Sequence, residues 1–314
     1  MNIYDFVLSR ILNGFNPAIP ILIRYFLDSK RILNSNNDDL SFLLKKNKIS
    51  ETFTKSFFEK KERYNLDTAP FIGKCNQEIK KIRESGVEII TFSDSEYPEQ
   101  LRLIPAPPLV LYAKGDINFD YNKSIAIVGT RNVSSYAFKK VCGIAEDLSK
   151  KGYCIISGLA RGIDGISHRA ALNSKGKTIA VLPLGINRPY PSEHKVLYEE
   201  ILKKKGCLVA EDSGWKKGFN KQSFLNRNRI ISGLSKGIFI VEGSKISGSL
   251  SQYNHAKEQG KLILTLKPKS YSEATYLQKI ISKEGFVVEN ADQIIEILNQ
   301  ANDSQTFPSP PLSS

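Results

Sequence analysis

The sequence predicts an α/β protein: a doubly wound, mostly parallel sheet of the extended Rossmann-like kind, with a small helical N-terminal domain. Three observations carry this expectation. Short apolar, β-branched runs (SIAIVG, YCIISG, TIAVLPL, CLVAED, GIFIVEG, KLILTL) alternate with amphipathic stretches, the pattern of parallel strands buried on both faces and joined by crossover helices. Four of those runs end in turns of small residues, VGTRNVSSY, SGLARGID, PLGINRPYP and VEGSKISGSL. Such turns gather at the carboxyl edge of a parallel sheet, where backbone N–H groups and helix N-termini face a ligand. Nearly every amphipathic stretch then closes on glycine, as a left-handed C′ residue should.

Residues 1 to about 70 read as helices, with Ile3, Phe6, Val7, Ile11 and Leu12 at helical spacing. NGFNPAIPILIRYFLDSKRIL has the look of a weak helix-hairpin-helix with Gly14 and Pro17 in its turn, either a phosphate holder or a purely structural module. The helical domain is assigned to residues 1–75. QEIKKIRESG is then a helix ending at Gly86 and VEIITF a strand. Pro105, Pro107 and Pro108 exclude continuous helix or central strand, so this segment is a connector whose LVLYAKG forms an edge strand. The core alternation follows, NRNRIISGLSKG being a short helix after a long loop. After Thr265 come the helix SEATYLQKIISKEG, the strand FVVEN and the helix ADQIIEILNQ, closing a sheet domain at 76–300. Residues 301–314 are a Pro/Ser-rich tail expected to be disordered.

The formal charge is +13, from 45 basic and 32 acidic residues, and 41% of the chain is hydrophobic. That surplus points to an anionic partner, nucleic acid before membrane, or to a Lys-rich surface without a specific partner. Cys75, Cys142, Cys154 and Cys207 make no C-x-x-C and read as free thiols of a reducing cytoplasm. No apolar run reaches the ~20 residues of a membrane span, and no signal-peptide pattern is present. The chain is expected to be cytoplasmic, with no membrane partner.

The turns supply the candidate site. Gly129 alone of the dinucleotide fingerprint G-x-G-x-x-G is present, but Arg131 follows it at the sheet edge, where a guanidinium can clamp a phosphate. Ser157 and Gly158 allow close backbone approach, Arg161 follows, and Asp164 reads as a helix cap or a ligand contact. His168 reads as structural for want of a partner. Arg188 and Tyr190 follow Gly185, the ring either stacking on a base or plugging the edge. The loop EDSGWKKGFNKQSFLNRNR interleaves Lys216, Lys217, Lys221, Arg227 and Arg229 with Trp215, Phe219 and Phe224, as single-stranded nucleic-acid grooves do. Ser247, Gly248 and Ser249 suit an anion-binding nest at a helix start, and Glu242 is a candidate acid/base or hydroxyl acceptor. There is no Walker A pair, metal-ligand cluster or Ser–His–Asp set; no cofactor and no catalytic residue is expected.

SGLARGIDGISHRAAL, GKTIAVLPLGINRPYPSEH, FLNRNRIISGLS and VEGSKISGSL, preceded by EYPEQLRLIPAPPLVLYAKGD, resemble the ordered signature blocks of the DprA/Smf DNA-processing proteins over roughly Asn76 to Leu266. The resemblance implies an extended Rossmann-like domain that binds single-stranded DNA, protects incoming DNA in natural transformation, loads a RecA-type recombinase and dimerises. It implies Arg131 as the principal phosphate contact. Gly158, Ser247 and Gly248 would line the pocket, with Lys217, Lys221, Arg227 and Arg229 supporting the strand. The chain departs from the family at Ala137 and Pro183, where glycine is usual, and at Ser251-Gln252-Tyr253, where Ile-Thr-Ala is usual. LILTLKPKSY lacks the Pro-Gly that typically follows the last core strand, and the C-terminal winged-helix-like domain of many members is expected to be absent. The competing expectation is a sensor or processing enzyme for a free nucleotide, although the Pro-Gly-Gly-x-Gly-Thr turn of nucleotide-cleaving relatives is missing.

Overall fold

Alternating apolar runs become one mixed sheet flanked by helices. The structure is a computed structural model and describes residues 1–12, 18–214, 221–270 and 272–303. The first elements are all helical: α1 (Ile3–Leu12), α2 (Ala18–Phe26), α3 (Ser29–Asn34), α4 (Asn37–Lys46), α5 (Glu51–Leu66) and α6 (Thr68–Glu84). The sheet region then runs β1 (Glu88–Thr91), α7 (Glu99–Arg102), β2 (Val110–Gly115), β3 (Ser124–Val128), α8 (Ser135–Lys150), β4 (Cys154–Ser157), α9 (Ile163–Asn173) and β5 (Thr178–Leu182). It continues through α10 (Lys195–Lys203), β6 (Cys207–Ala210), α11 (Lys221–Leu234), β7 (Gly237–Ile240), α12 (Gly248–Glu258), β8 (Leu262–Leu266), α13 (Tyr276–Glu284), β9 (Phe286–Val288) and α14 (Ala291–Asp303).

The strand order is β1-β2-β6-β5-β4-β3-β7-β8-β9. Strands β3 to β9 pair in parallel, whereas β1–β2 and β2–β6 are antiparallel. The mostly parallel α/β class is as expected. The connector strand is corrected: β2 lies between β1 and β6, and β1 is the edge. Alternation along β3 shows the two buried faces, Ile125 and Ile127 packing with α8 and α14, Ala126 and Val128 with α11 and α12.

Three further local expectations change. Helix α11 is longer than expected, because KQSFL joins NRNRIISGL in one helix from Lys221. Helices α9 and α10 turn out of helical conformation at Lys175 (φ 58°) and Lys205 (φ 61°), one residue before the glycine; Gly86, Gly152 and Gly260 take the left-handed turn as expected. The expected tail 301–314 is corrected at its start, since residues 301–303 close helix α14; the rest of it, 304–314, and the hairpin turn of Gly14 and Pro17 lie outside the described residues.

The N-terminal helices share a core with the sheet: Phe6, Leu8, Leu22 and Phe57 pack in one cluster with Tyr112, Leu182, Leu208 and Ala210. Polar ties cross the same boundary. Arg10 bonds Glu78 (2.7 Å) and the Tyr112 hydroxyl (2.8 Å). The buried Asp5 carboxylate accepts from Ser29 Oγ (2.5 Å) and the Ser93 N–H (2.8 Å). Residue 75 falls inside the unbroken helix α6.

Candidate nucleic-acid interface

The loops after β3, β4 and β5 converge on one cleft with α11. Its walls are Arg131, Gly158, Ala160, Arg161, Pro183, Tyr190, Pro191, Phe224 and Arg227. The loops are held by each other: Ile163 N–H donates to Thr130 O (3.2 Å), and a Cβ on Gly162 (φ 75°) would meet that same oxygen at 2.3 Å. Glycine is therefore required where these two turns touch.

The β4–α9 loop is built around an internal anion. Asp164, 5% exposed, accepts from the N–H groups of Gly158 (3.0 Å) and Ala160 (3.4 Å). Those groups flank Leu159, a buried residue at φ 56°, a conformation that costs a branched side chain about 1–2 kcal/mol. The carboxylate thus holds the loop in its unusual shape and does not cap α9, whose N-cap is Gly162. Burial pushes its pKa up, and the neighbouring Arg227 acts in the opposite direction.

Arg227 is buried at the cleft wall, donating from Nη1 to Gly158 O (2.6 Å) and to Val181 O. Loss of hydration lowers its pKa to about 10 despite Asp164, and Arg131 adds to the lowering. A Cβ on Gly158 would lie 2.5 Å from the guanidinium, so the glycine makes room for an arginine. Arg131 and Arg161 are exposed beside it; Arg161 pairs with the Glu193 carboxylate in an ion pair open to water on both sides. Tyr190 packs edge-on against Phe224, ring centroids 5.1 Å apart, and both line the cleft; Arg188 lies beside Gly214 and is not among the walls.

Arg229 corrects the sequence expectation. It is 2% exposed, bonds Glu211 through both terminal nitrogens (2.9 and 2.6 Å), and donates from Nε to Ala106 O (2.7 Å). Residues two apart on a helix face different ways: Arg227 lines the cleft, whereas Arg229 turns to Glu211 and Ala106 O. Ser157 is likewise committed elsewhere, its hydroxyl donating to Ile127 O (2.7 Å). Gly129 is small for packing: a Cβ there would meet Ile163 at 2.8 Å. Ser249 is buried beneath Gly243, whereas Ser247 and Gly248 sit at the start of α12, with open space above Gly248. Lys221 is exposed at the first turn of α11. Trp215, Lys216, Lys217 and Phe219 lie outside the described residues.

Asn228 is the residue that sequence reasoning missed. Its amide donates to Gly248 O (3.4 Å) and its oxygen accepts from Gln252 (3.0 Å) and from Arg227 Nε (3.3 Å), tying the cleft to the β7–α12 loop. Gln252 and Tyr253, two of the departures from the family pattern, are both taken up internally, Tyr253 bonding Glu284 (2.7 Å). Glu242 accepts from Ser134 Oγ (2.7 Å) and N (3.3 Å), fixing the β3–α8 loop. His168 is fully buried, its Nδ1 2.7 Å from Thr178 Oγ1, with a pKa lowered to about 3 chiefly by burial. Among the described residues no cluster could hold a metal ion, and no helix is long and apolar enough to cross a membrane.

The sequence profile described as DNA recombination-mediator protein A matches residues 88–299, the β1–α14 region that carries this cleft. The chain belongs to that family. It is 37% identical to the DNA processing protein DprA of Bacillus subtilis over 240 residues, 76% of this chain and 80% of that one. It is 40% identical to the protein Smf of Escherichia coli over 181 residues, 55% of this chain and 46% of that one. The fold is that of DprA from Streptococcus pneumoniae (TM-score 0.74, 24% identity, 94% and 98% of the two chains). DNA processing protein A from Helicobacter pylori, whose structure concerns a unique single-stranded DNA binding mode, is also similar (TM-score 0.58, 29% identity, 68% and 97%). The chain is thus a DprA/Smf family member.

Proposed function

We propose that this DprA/Smf protein binds single-stranded DNA by its phosphates along the carboxyl edge of the sheet. The observation that carries the reading is the meeting of Arg131, Arg161 and Arg227 on one cleft. Among the described residues that cleft encloses only about 40 Å³, far below the ~300–1,000 Å³ that buries a small-molecule ligand. A surface contact for a polymer fits it better than a chamber for a free nucleotide. In this reading Arg131 is the principal phosphate contact, with Arg161, Arg188, Lys217, Lys221, Ser247 and Gly248 along the strand and Arg227 shaping the wall. The protein does no chemistry; it protects the strand and delivers it to a RecA-type recombinase in the cytoplasm, acting as a homodimer during DNA uptake. The helical segment 1–75 and the sheet segment 76–300 act in this as one packed unit, joined through α6 and a shared core.

The experiment is a salt-titrated comparison of single- and double-stranded oligonucleotides by fluorescence anisotropy. Single strands bind more tightly, with an affinity that falls steeply as salt rises, each contacted phosphate contributing about 0.7 to the log–log slope. Arg131→Ala lowers that slope by about one such contact and weakens all sequences alike. Equal affinity for both DNA forms overturns the reading. So does turnover of a nucleoside monophosphate that Glu242→Ala abolishes.

A further inference from the structure

Beyond the arginine cleft the same sheet edge carries a second, chemically similar patch. Strands β3, β7 and β8 are neighbours, so the end of β8 lies about two strand spacings, ~10 Å, from the end of β3 and its Arg131. Lys267 and Lys269 follow β8 directly and are exposed. Tyr136, on the first turn of α8, is bracketed by them: its hydroxyl donates to Lys267 O (2.9 Å), and the Lys269 ammonium lies 5.6 Å from its ring centroid. Below them, between α8 and the β9–α14 turn, opens a depression of about 540 Å³ lined in part by Tyr136, Lys139 and Lys140.

The acids nearby do not cancel this character. Glu289 pairs with Lys267 (2.8 Å), both side chains open to water, and such exposed pairs are worth ~0–1 kcal/mol. Asp147 lines the same depression on a later turn of α8 than Tyr136. Glu242, at the end of β7 between the two patches, is engaged by Ser134. A half-exposed ring under an ammonium, with further lysines alongside, is the combination that holds an unpaired strand: cations follow the phosphates while a base covers the ring. The lysines stand two apart in Lys267-Pro268-Lys269, immediately after β8.

We propose that Tyr136, Lys139, Lys267 and Lys269 form a second contact segment for the same DNA strand, extending the bound length past the arginine cleft toward β8. The inference rests on the single-stranded DNA reading and lengthens it. At ~3.4 Å or more per nucleotide, a dinucleotide is held by the arginine cleft alone; a longer strand crosses to the β8 patch as well.

The test uses the full chain, wild type and K267A/K269A, with a short oligomer of two thymidylates and an oligothymidylate of about 16 nucleotides, the upper end of single-strand site sizes, at graded salt. Wild type binds the longer oligomer with the steeper salt slope. The double variant loses about 1.4 from that slope, two phosphates at ~0.7 each, and leaves the short oligomer unchanged, while K267R/K269R restores the wild-type slope. Unchanged binding of both oligomers by the alanine variant overturns this inference and leaves the arginine cleft standing. Equal weakening of both oligomers also overturns it, since the lysines would then act on the first cleft. Failure of wild type to prefer single strands overturns the functional reading itself.

Discussion

Gly158→Ala tests the internal logic of the cleft. The new methyl group would sit 2.5, 2.6 and 2.7 Å from three atoms of the Arg227 guanidinium, closer than van der Waals contact allows, so the side chain must leave. Leaving breaks the bonds from Nη1 to Gly158 O and Val181 O. Hydrogen bonds from a charged donor contribute about 1.5–3 kcal/mol each, net of exchange with water, so the two together account for about 3–6 kcal/mol. The expected destabilisation lies at the low end of that range, about 3 kcal/mol, because the clashing atoms are the far end of a long side chain that can shift toward the cleft. Gly158 has no positive φ, so alanine meets no backbone penalty there. In an Arg227→Ala background the same substitution should therefore cost nothing, or gain the ~0.4–1 kcal/mol that Gly→Ala yields at a compatible position. Urea titrations of wild type, both single variants and the double variant give the coupling directly. A Gly158→Ala cost that persists undiminished without Arg227 would refute the argument that the glycine exists to seat the arginine.

Two other outcomes follow from buried ionisable groups. Arg229→Met leaves Glu211 without its partner and should destabilise the fold by about 3 kcal/mol, the low end for a broken buried pair because Glu211 keeps some access to water. Arg229→Met/Glu211→Gln should recover most of that, and DNA affinity per folded molecule should stay at wild type; a specific loss of DNA binding in Arg229→Met would return the residue to the interface. His168 is held neutral by burial, its pKa lowered from 6.5 to about 3, so between those values the unfolded chain binds the extra proton. Its contribution is intact above about pH 6.5 and fades as pH falls toward 3, with about 2 kcal/mol lost between pH 7 and pH 5. Urea midpoints at the two pH values should show that increment in wild type and lack it in His168→Gln; an identical pH dependence in both proteins would contradict the assignment.

Most of the sheet was legible because strand periodicity and crossover length are local signals: each run from SIAIVG to FVVEN became a strand. The place of β2 was not, since its neighbour β6 comes about ninety positions later in the chain, and nothing local reports which edge a strand joins. Glycines marked the turns correctly but for different reasons than phosphate approach; at positions 129 and 158 the space is filled by Ile163 and Arg227. The cationic inventory of FLNRNR was readable, its division was not. Spacing of two on a helix separates Arg227 from Arg229, and Glu211 at the end of β6 was the available sign that one of them is spoken for. Asp164 escaped assignment because its partners are main-chain N–H groups of a loop whose shape no motif encodes.

The continuous interior beneath α1 and β2 has an implication for how this protein varies. A helical cassette joined by a linker can be exchanged or lost with little effect on what it precedes. Here Phe6 and Tyr112 belong to one packed cluster and Arg10 reaches across to the Tyr112 hydroxyl, so the first turns of the chain and the antiparallel margin of the sheet must change together or not at all.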